Sequence, residues 1–330
     1  MGRVVVITGG SAGVGRAMAR RFGRGGDRVA VIGRDRAGVE DTAREIEAAG
    51  GEGLALALDV ADAEAVRAAA DEVARRWGRI DVWVNNAMAT MFAPLSKMTA
   101  AEFRRVTEVT YLGYVHGTMA ALTHMRPRGE GVILQIGSAL AWRGIPLQSA
   151  YCGAKFAIRG FTDSLRSELI HEGLAVKLGM LQLPAVDTPQ FDWARNAFDR
   201  RPQPVAPIYD PDDIAEIAWR ASHAAPRELW IGYPSLKIIA GSLLAPAWLD
   251  RYLAWTGYDG QLSAEAETPG RPDNLFRPVA RGHAAHGRFE GKEKPQVFAF
   301  EPAAVRTLAL GAVAALGLLA GWAAARRLGD

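Results

Sequence analysis

The chain opens with an unbroken apolar, β-branched run, Val4-Val5-Val6-Ile7, set between Arg3 and Thr8. Such a run fits a strand covered on both faces rather than one with a wet side. The same texture returns at residues 27–33, 54–58, 80–84, 131–136, 174–181 and 228–231. Between these runs lie segments of helical period: 16–24, with Met18, Ala19 and Phe22 on one face, then 63–77, 100–125 and 148–171. Strands alternating with helices over this length predict an α/β fold, a doubly wound parallel sheet of about seven strands. Ligands in such sheets bind outside the carboxyl ends of the strands. Thr8, Arg34, Asp59, Asn85 and Ser138 all fall at or just past those ends.

The first strand runs into Thr8-Gly9-Gly10-Ser11-Ala12-Gly13-Val14-Gly15. Glycines let a backbone turn sharply and approach a pyrophosphate, and the helix that follows offers free N–H groups and the positive end of its dipole. The layout is that of a Rossmann-type sheet, although the spacing is G-x-x-x-G-x-G instead of the general G-x-G-x-x-G. The second strand ends in Gly33-Arg34-Asp35. An acidic residue there holds the 2′-hydroxyl of NAD, whereas an arginine accommodates the 2′-phosphate of NADP. Gly33 leaves room and Arg34 supplies a planar fork suited to phosphate, so NADP(H) is expected over NAD. The competing assignment leaves Arg34 in solvent and gives the ribose to Asp35.

Ser138 follows the strand at 131–136, and Tyr151 and Lys155 stand four apart on the predicted helix 148–171, hence on one face. Hydride delivered to a carbonyl leaves an alkoxide that needs a proton. A free tyrosine, with a pKa of about 10, is a poor base at neutral pH, and a nearby ammonium is expected to bring it towards the working range. Ser138 can donate to the same oxygen and stabilise the charge that develops there.

Residues 3–235 resemble the short-chain dehydrogenase/reductase family. The resemblance rests on Thr8-Gly9…Gly13-Val14-Gly15, Asp59, Asn85-Asn86-Ala87, Ser138, Tyr151…Lys155 and Pro184…Thr188. It implies an oxidoreductase acting on CH–OH groups with a nicotinamide cofactor. Asp59 and Val60 would hold the adenine, and Asn85 would support the central strand and the cofactor. Ser138 would orient the substrate carbonyl, Tyr151 would be the acid/base, Lys155 would hold the nicotinamide ribose, and Thr188 would meet the carboxamide. Ser11, Val14, Ala87, Pro184 and Val186 would complete the cofactor wall. The family also implies a homodimer or homotetramer packed through helices 100–125 and 148–171.

Four positions depart from the family pattern. Met88 replaces a glycine and is expected to line the nicotinamide pocket. Thr110 stands where the family has an asparagine that holds a proton-relay water, so Thr110 joins the catalytic set with its relay role in doubt. Gly137 replaces a second serine, a change expected to matter little. Pro184-Ala185 replaces Pro-Gly.

Composition narrows the alternatives. The 330 residues carry a net charge of +3, which does not argue for nucleic acid, and a single cysteine, Cys152, which excludes an internal disulfide and fits a reducing compartment. Cys152 is expected to pack. The chain passes from Met1-Gly2-Arg3 straight into its first strand, so no export signal is read and the catalytic domain is expected in the cytoplasm. Of the six histidines only His283 and His286 are close in sequence, with no Cys or acidic cluster of ligand spacing, so no metal site is expected.

The chain divides into 1–235, a C-terminal extension at 236–302, and an apolar segment at 303–330. Phe191, Trp193 and Phe198 fall in a substrate lid at 186–211, and their bulk points to a sizeable apolar carbonyl or alcohol substrate. Trp248, Tyr252 and Trp255 fall in a segment that could cover the substrate cleft, pack a dimer interface or touch a membrane surface, with burial the default expectation, and 257–302 reads as an irregular, Pro- and Gly-rich arm. Residues 307–325 carry no charge. As a helix they would span roughly 28 Å, close to the hydrocarbon core of about 30 Å, so they are read as a C-terminal membrane anchor in preference to a packed or interfacial helix. The function that follows is NADP(H)-dependent interconversion of a carbonyl and an alcohol. The competing class is a silent NADP-binding sensor or scaffold of the same fold.

Overall fold

The structure, a computed structural model, describes residues 2–307. Eight strands form the central sheet: β1 (Val4–Thr8), β2 (Arg28–Gly33), β3 (Glu52–Ala57), β4 (Val82–Asn85), β5 (Glu130–Ser138), β6 (Ala175–Leu183), β7 (Glu228–Ile231) and β8 (Ala299–Phe300). Their spatial order is β8-β7-β6-β5-β4-β1-β2-β3. The first seven pair in parallel, and β8 closes one edge antiparallel, with Trp230 opposite Phe300.

The apolar run of β1 is buried at every position because both faces of the sheet are covered. Val4 and Val6 share a core with α3 (Ala63–Trp77) and two later helices, α5 (Gly113–Met125) and α6 (Ser149–His171). Val5 and Ile7 face α1 (Gly13–Arg24), α2 (Arg36–Ala48) and α7 (Pro211–Ala224). Successive side chains of a strand point to opposite faces, so one strand serves both cores.

The helix expected at 100–125 is divided. α4 (Ala100–Thr107) leads into a wide π-type turn at Glu108–Leu112, and α5 follows. An extra residue in one turn does not disturb the apolar period enough to be read from sequence, and such bulges recur at functional sites.

The C-terminal extension differs most from expectation. α8 (Gly232–Leu244) and α9 (Pro246–Gln261) form a pair of helices beside the carboxyl edge of the sheet. Trp248, Tyr252 and Trp255 are not buried: they are 60%, 44% and 77% exposed. α9 turns Leu249 and Leu253 inwards and leaves both indoles outside. Nor is the arm merely irregular. Leu262–Ala266 pairs antiparallel with Arg200–Pro202, and β8 joins the main sheet. No described helix is long and apolar enough to cross a membrane, and residues 308–325 of the expected anchor lie outside the described residues.

Candidate active site

Side chains from the carboxyl ends of the strands converge on one cavity of about 1330 Å³. The glycine loop forms its floor. Gly9 has φ +70°, and a Cβ there would press on the backbone of Ala87 at 2.7 Å, so only glycine fits. Gly15 lies under the loop, where any side chain would collide with the Gly9 carbonyl. Gly9, Ser11, Gly13, Val14, Arg34, Asp59, Val60 and Ala87 reach the cavity wall, as do Pro184, Val186 and Thr188 at its other end.

Three of the residues expected at the cofactor stand behind the wall. Thr8 accepts hydrogen bonds on its hydroxyl from the N–H groups of Asn86 (2.9 Å) and Ala87 (3.1 Å). Asn85 is fully buried, accepts from the Trp83 indole at 2.8 Å, and donates to Thr118 and to Gln135, each at 3.0 Å. Thr8, Asn85 and Gly15 thus brace the site without lining it. Asn86 lines it instead, tied to the Thr8 carbonyl at 3.0 Å.

Arg34 is engaged. Its guanidinium donates to the carbonyls of Asn274 and Leu275 in the C-terminal arm, and burial pulls its pKa down. Asp35 caps α2 through the Gly38 N–H at 2.8 Å, faces His283 Nε2 at 3.3 Å, and also reaches the cavity wall beside Arg34. Asp59 pairs with Arg105 and accepts from the Ala61 N–H at 3.0 Å.

At the far end of the cavity, Ser138, Tyr151 and Lys155 meet. Ser138 accepts from the Leu140 N–H at 3.1 Å, and its hydroxyl lies near enough to the Tyr151 phenol to pull that group's pKa down. The expected lowering of the tyrosine is absent. Burial raises its pKa, with a smaller push from Cys152 and an opposing pull from Ser138. The surface Tyr151 retains is cavity surface: the phenol is enclosed by protein yet reachable from the cleft. Lys155 does not bond to the phenol. Its Nζ donates to the Ile136 carbonyl at 2.7 Å and to the Tyr114 hydroxyl at 3.1 Å, and sits 5.5 Å from the centre of the Tyr151 ring. Burial lowers its pKa to about 7.

Thr110 is buried with its hydroxyl donating to the Ala89 carbonyl at 2.8 Å and accepting from the Ala89 N–H at 2.9 Å. A hydroxyl has one proton, and this one is spent on the backbone. Thr110 is a clamp on the loop after β4 and does not reach the cavity, so it leaves the catalytic set. Tyr114, one turn further along, was missed by sequence reasoning. It donates its own hydroxyl to Ile136 at 2.8 Å while receiving Lys155. Its spacing of four from Thr110 was the available signal.

Gly137 has a reason to be glycine. The Gln182 amide fills the space a Cβ would need and accepts from the Ser138 N–H at 2.8 Å. Gly137→Ser, which installs the family residue, is therefore expected to destabilise the protein by roughly 1–3 kcal/mol, as overpacked cores do. A thermal melt checks it, and an unchanged midpoint would contradict the packing argument.

Cys152 packs as expected; its thiol is buried and pushed up to about 11, which makes it inert. Met88 lines the cavity as expected. His286 approaches Asp210 at 3.1 Å, with Asp212 alongside, a grouping of potential metal ligands that sequence spacing did not show. Asp210 caps α7 and Asp212 pairs with Arg20.

The short chain dehydrogenase family model matches residues 3–197. The chain belongs to that family. This short-chain dehydrogenase is 31% identical over 327 residues to an uncharacterized oxidoreductase, YxnA, of Bacillus subtilis, covering 98% of this chain and 91% of that one. It is 34% identical over 230 residues to a 3beta-hydroxysteroid dehydrogenase of Eggerthella lenta, covering 68% of this chain and 88% of the relative. An alcohol dehydrogenase from Thermococcus sibiricus, solved with 5-hydroxy-NADP, superposes with a TM-score of 0.59 at 31% identity, covering 69% of this chain and 92% of that one. The protein is accordingly an oxidoreductase of this family.

The residues present fit a nicotinamide dinucleotide. The glycine loop permits close approach, and Thr188 lies against Gly13. An ammonium has three donors; two on Lys155 are used, and the third has no protein partner among the described residues.

Proposed function

We propose that this short-chain dehydrogenase is an NADPH-dependent reductase of a sizeable, apolar ketone. The observation that carries the reading is the shared cavity: Ser138 and Tyr151 project into the same space as the glycine loop and Arg34. The rest of that space is walled by Phe191, Trp193, Leu249, Leu253 and Val205, which favours an apolar substrate. Phe198 lies outside, against Lys97, so two of the three lid aromatics serve the cavity.

The bound cofactor would supply the hydride. Ser138 and Tyr151 would both donate hydrogen bonds to the carbonyl oxygen, which fixes its position and draws charge towards it. Tyr151 would give up its proton as the carbon is reduced. Lys155 would hold the nicotinamide ribose with its remaining N–H. Because burial keeps Tyr151 protonated at neutral pH, the enclosed phenol is better suited to give a proton than to take one. This favours reduction over alcohol oxidation.

A pH profile tests the direction. At saturating NADPH, where the ribose hydrogen bond would keep Lys155 charged, reduction is expected to vary by less than threefold between pH 6 and 8, since the phenol also stays protonated throughout. Oxidation of the product alcohol should climb as pH rises, as more of the tyrosine is deprotonated. A tenfold fall in reduction across that window at saturating NADPH would indicate titration of the phenol or of the Lys155 ammonium near neutrality, and NADPH affinity measured at the same pH values separates them, since loss of the ammonium weakens binding. The cofactor and substrate readings are tested together by steady-state rates with NADPH and NADH against apolar cyclic ketones and small polar carbonyls. Tight NADPH binding without turnover of any carbonyl would favour the silent sensor.

A further inference from the structure

The motif at 282–289, which the function above does not use, is packed against the cofactor loop together with residues 271–279. Three latches hold it. At the first, Arg34 and Arg105 donate to the backbone carbonyls of Asn274 and Leu275, Arg105 at 3.0 Å. Leu275 is fully buried in one core with Val60 and Val109, beside the expected adenine pocket. At the second, the Gly13 N–H donates to the Ala284 carbonyl at 2.8 Å and Arg16 to the His283 carbonyl at 2.7 Å. At the third, the Phe289 N–H donates to Asp187 at 3.2 Å. Between these latches Asn274, Pro278, Val279 and His283 line the cavity opposite Ser11 and Arg34.

We propose that residues 271–289 are a working part of the cofactor site: they wall in the adenosine–pyrophosphate half of NADP(H), so that cofactor enters and leaves only when this arm lifts. The proposal rests on the reading that the cavity takes NADP(H). Two observations point to a ligand on the inner face of the arm. The Asn274 side-chain oxygen is buried without a hydrogen-bond partner among the described residues, although Asn274 lines the cavity. A buried acceptor is costly to leave unmade; with almost no accessible surface of its own, this oxygen would meet an adenine amine or a ribose hydroxyl once the side chain turns towards the cavity. Second, the arm occupies Arg34 with two carbonyl oxygens, the same kind of acceptor that a 2′-phosphate presents. Five donors in a fixed fork let one guanidinium hold a phosphate and still keep an arm carbonyl. Arg34 is then the joint between cofactor and arm, and the 2′-phosphate strengthens closure instead of competing with it.

The test uses the full chain, with NADPH dissociation followed by stopped-flow fluorescence after a chase and affinity by fluorescence titration. Asn274→Ala, which leaves the backbone latch in place, is expected to speed dissociation at least fivefold. Leu275→Ser, which loosens the first latch, should speed it at least tenfold. Hydrogen exchange on the unmutated protein provides a readout that needs no variant: NADPH should slow exchange of the amides at 272–289, and NADH should slow it less. Dissociation within twofold of the unmutated rate in a folded Asn274→Ala protein, or arm exchange indifferent to NADPH, overturns the proposal. If the unmutated chain does not bind NADPH at all, the cofactor reading itself has failed and the arm proposal falls with it. Normal binding with unresponsive arm amides sinks the arm proposal alone.

Discussion

Tyr151→Phe is expected to bind NADPH within about twofold of the unmutated protein and to lose turnover by roughly 10²–10⁴-fold, the range that a positioned proton donor contributes. The change removes one oxygen and keeps the ring. The ring packs against the core that contains Ala150 and Leu165, so the fold should hold. The lost oxygen is the one that would deliver the proton in the cavity that Ser138 also lines. A Ser138→Ala protein should fall less far, because polarisation is weakened while the proton source remains. The decisive comparison is kcat against NADPH affinity in Tyr151→Phe. Retention of a tenth or more of kcat would mean that the proton comes from elsewhere. A joint collapse of binding and turnover would mean that the phenol builds the cofactor site instead of serving the chemistry.

Much of this arrangement was legible from residue order because it depends on local rules. A continuous apolar run announces a doubly covered strand, and β1 and β7 follow it to within a residue. Glycines at 9, 13 and 15 announce a backbone that must bend and be approached, and Tyr151 and Lys155 share a helix face through their spacing. What was not legible depends on distance in sequence. Thr8 and Asn85 have the right address for cofactor contact, but their polar atoms are consumed by the strand-end network before any ligand arrives. The role of Gly137 is set by Gln182, 45 residues on, whose amide needs the space. Trp248 and Trp255 carry no local mark of which side of α9 will be covered. The arm is the extreme case. It has no apolar period to read, and its contacts with Gly13 and Arg34 span most of the chain. Its hydrogen bonds to Gly13, Arg16, Arg34 and Arg105 are made through its own backbone carbonyls, which leave no signature in residue identity.

Lys155→Met is expected to cost roughly 10²-fold or more in turnover and yet to raise the melting temperature of the cofactor-free protein at pH 6–7. The two effects have one cause. Lys155 is buried beneath the cleft with two hydrogen bonds, to Ile136 and Tyr114, and burial depresses its pKa from 10.5 to about 7. At about 1.4 kcal/mol per pKa unit, that depression corresponds to a penalty on the order of 4–5 kcal/mol for holding the charge in the folded state. The two lost hydrogen bonds, at about 1 kcal/mol each, offset part of the gain. The sign follows from proton counts. Between pH 7 and 10.5 the unfolded chain keeps a proton that the folded lysine has shed, so stability of the unmutated protein rises with pH across that window. Below pH 7 both states are protonated and the full penalty is present. The advantage of methionine should therefore be greatest at pH 6 and shrink towards pH 10. Thermal melts of both proteins at pH 6, 8 and 10 without cofactor measure it. An advantage independent of pH would mean that the lysine is neither buried nor depressed in solution. A less stable variant at pH 6 would mean that its two hydrogen bonds outweigh the desolvation of its charge. If the expected pattern holds, the site keeps a destabilising ammonium because the ribose needs its third N–H, a stability cost retained for function.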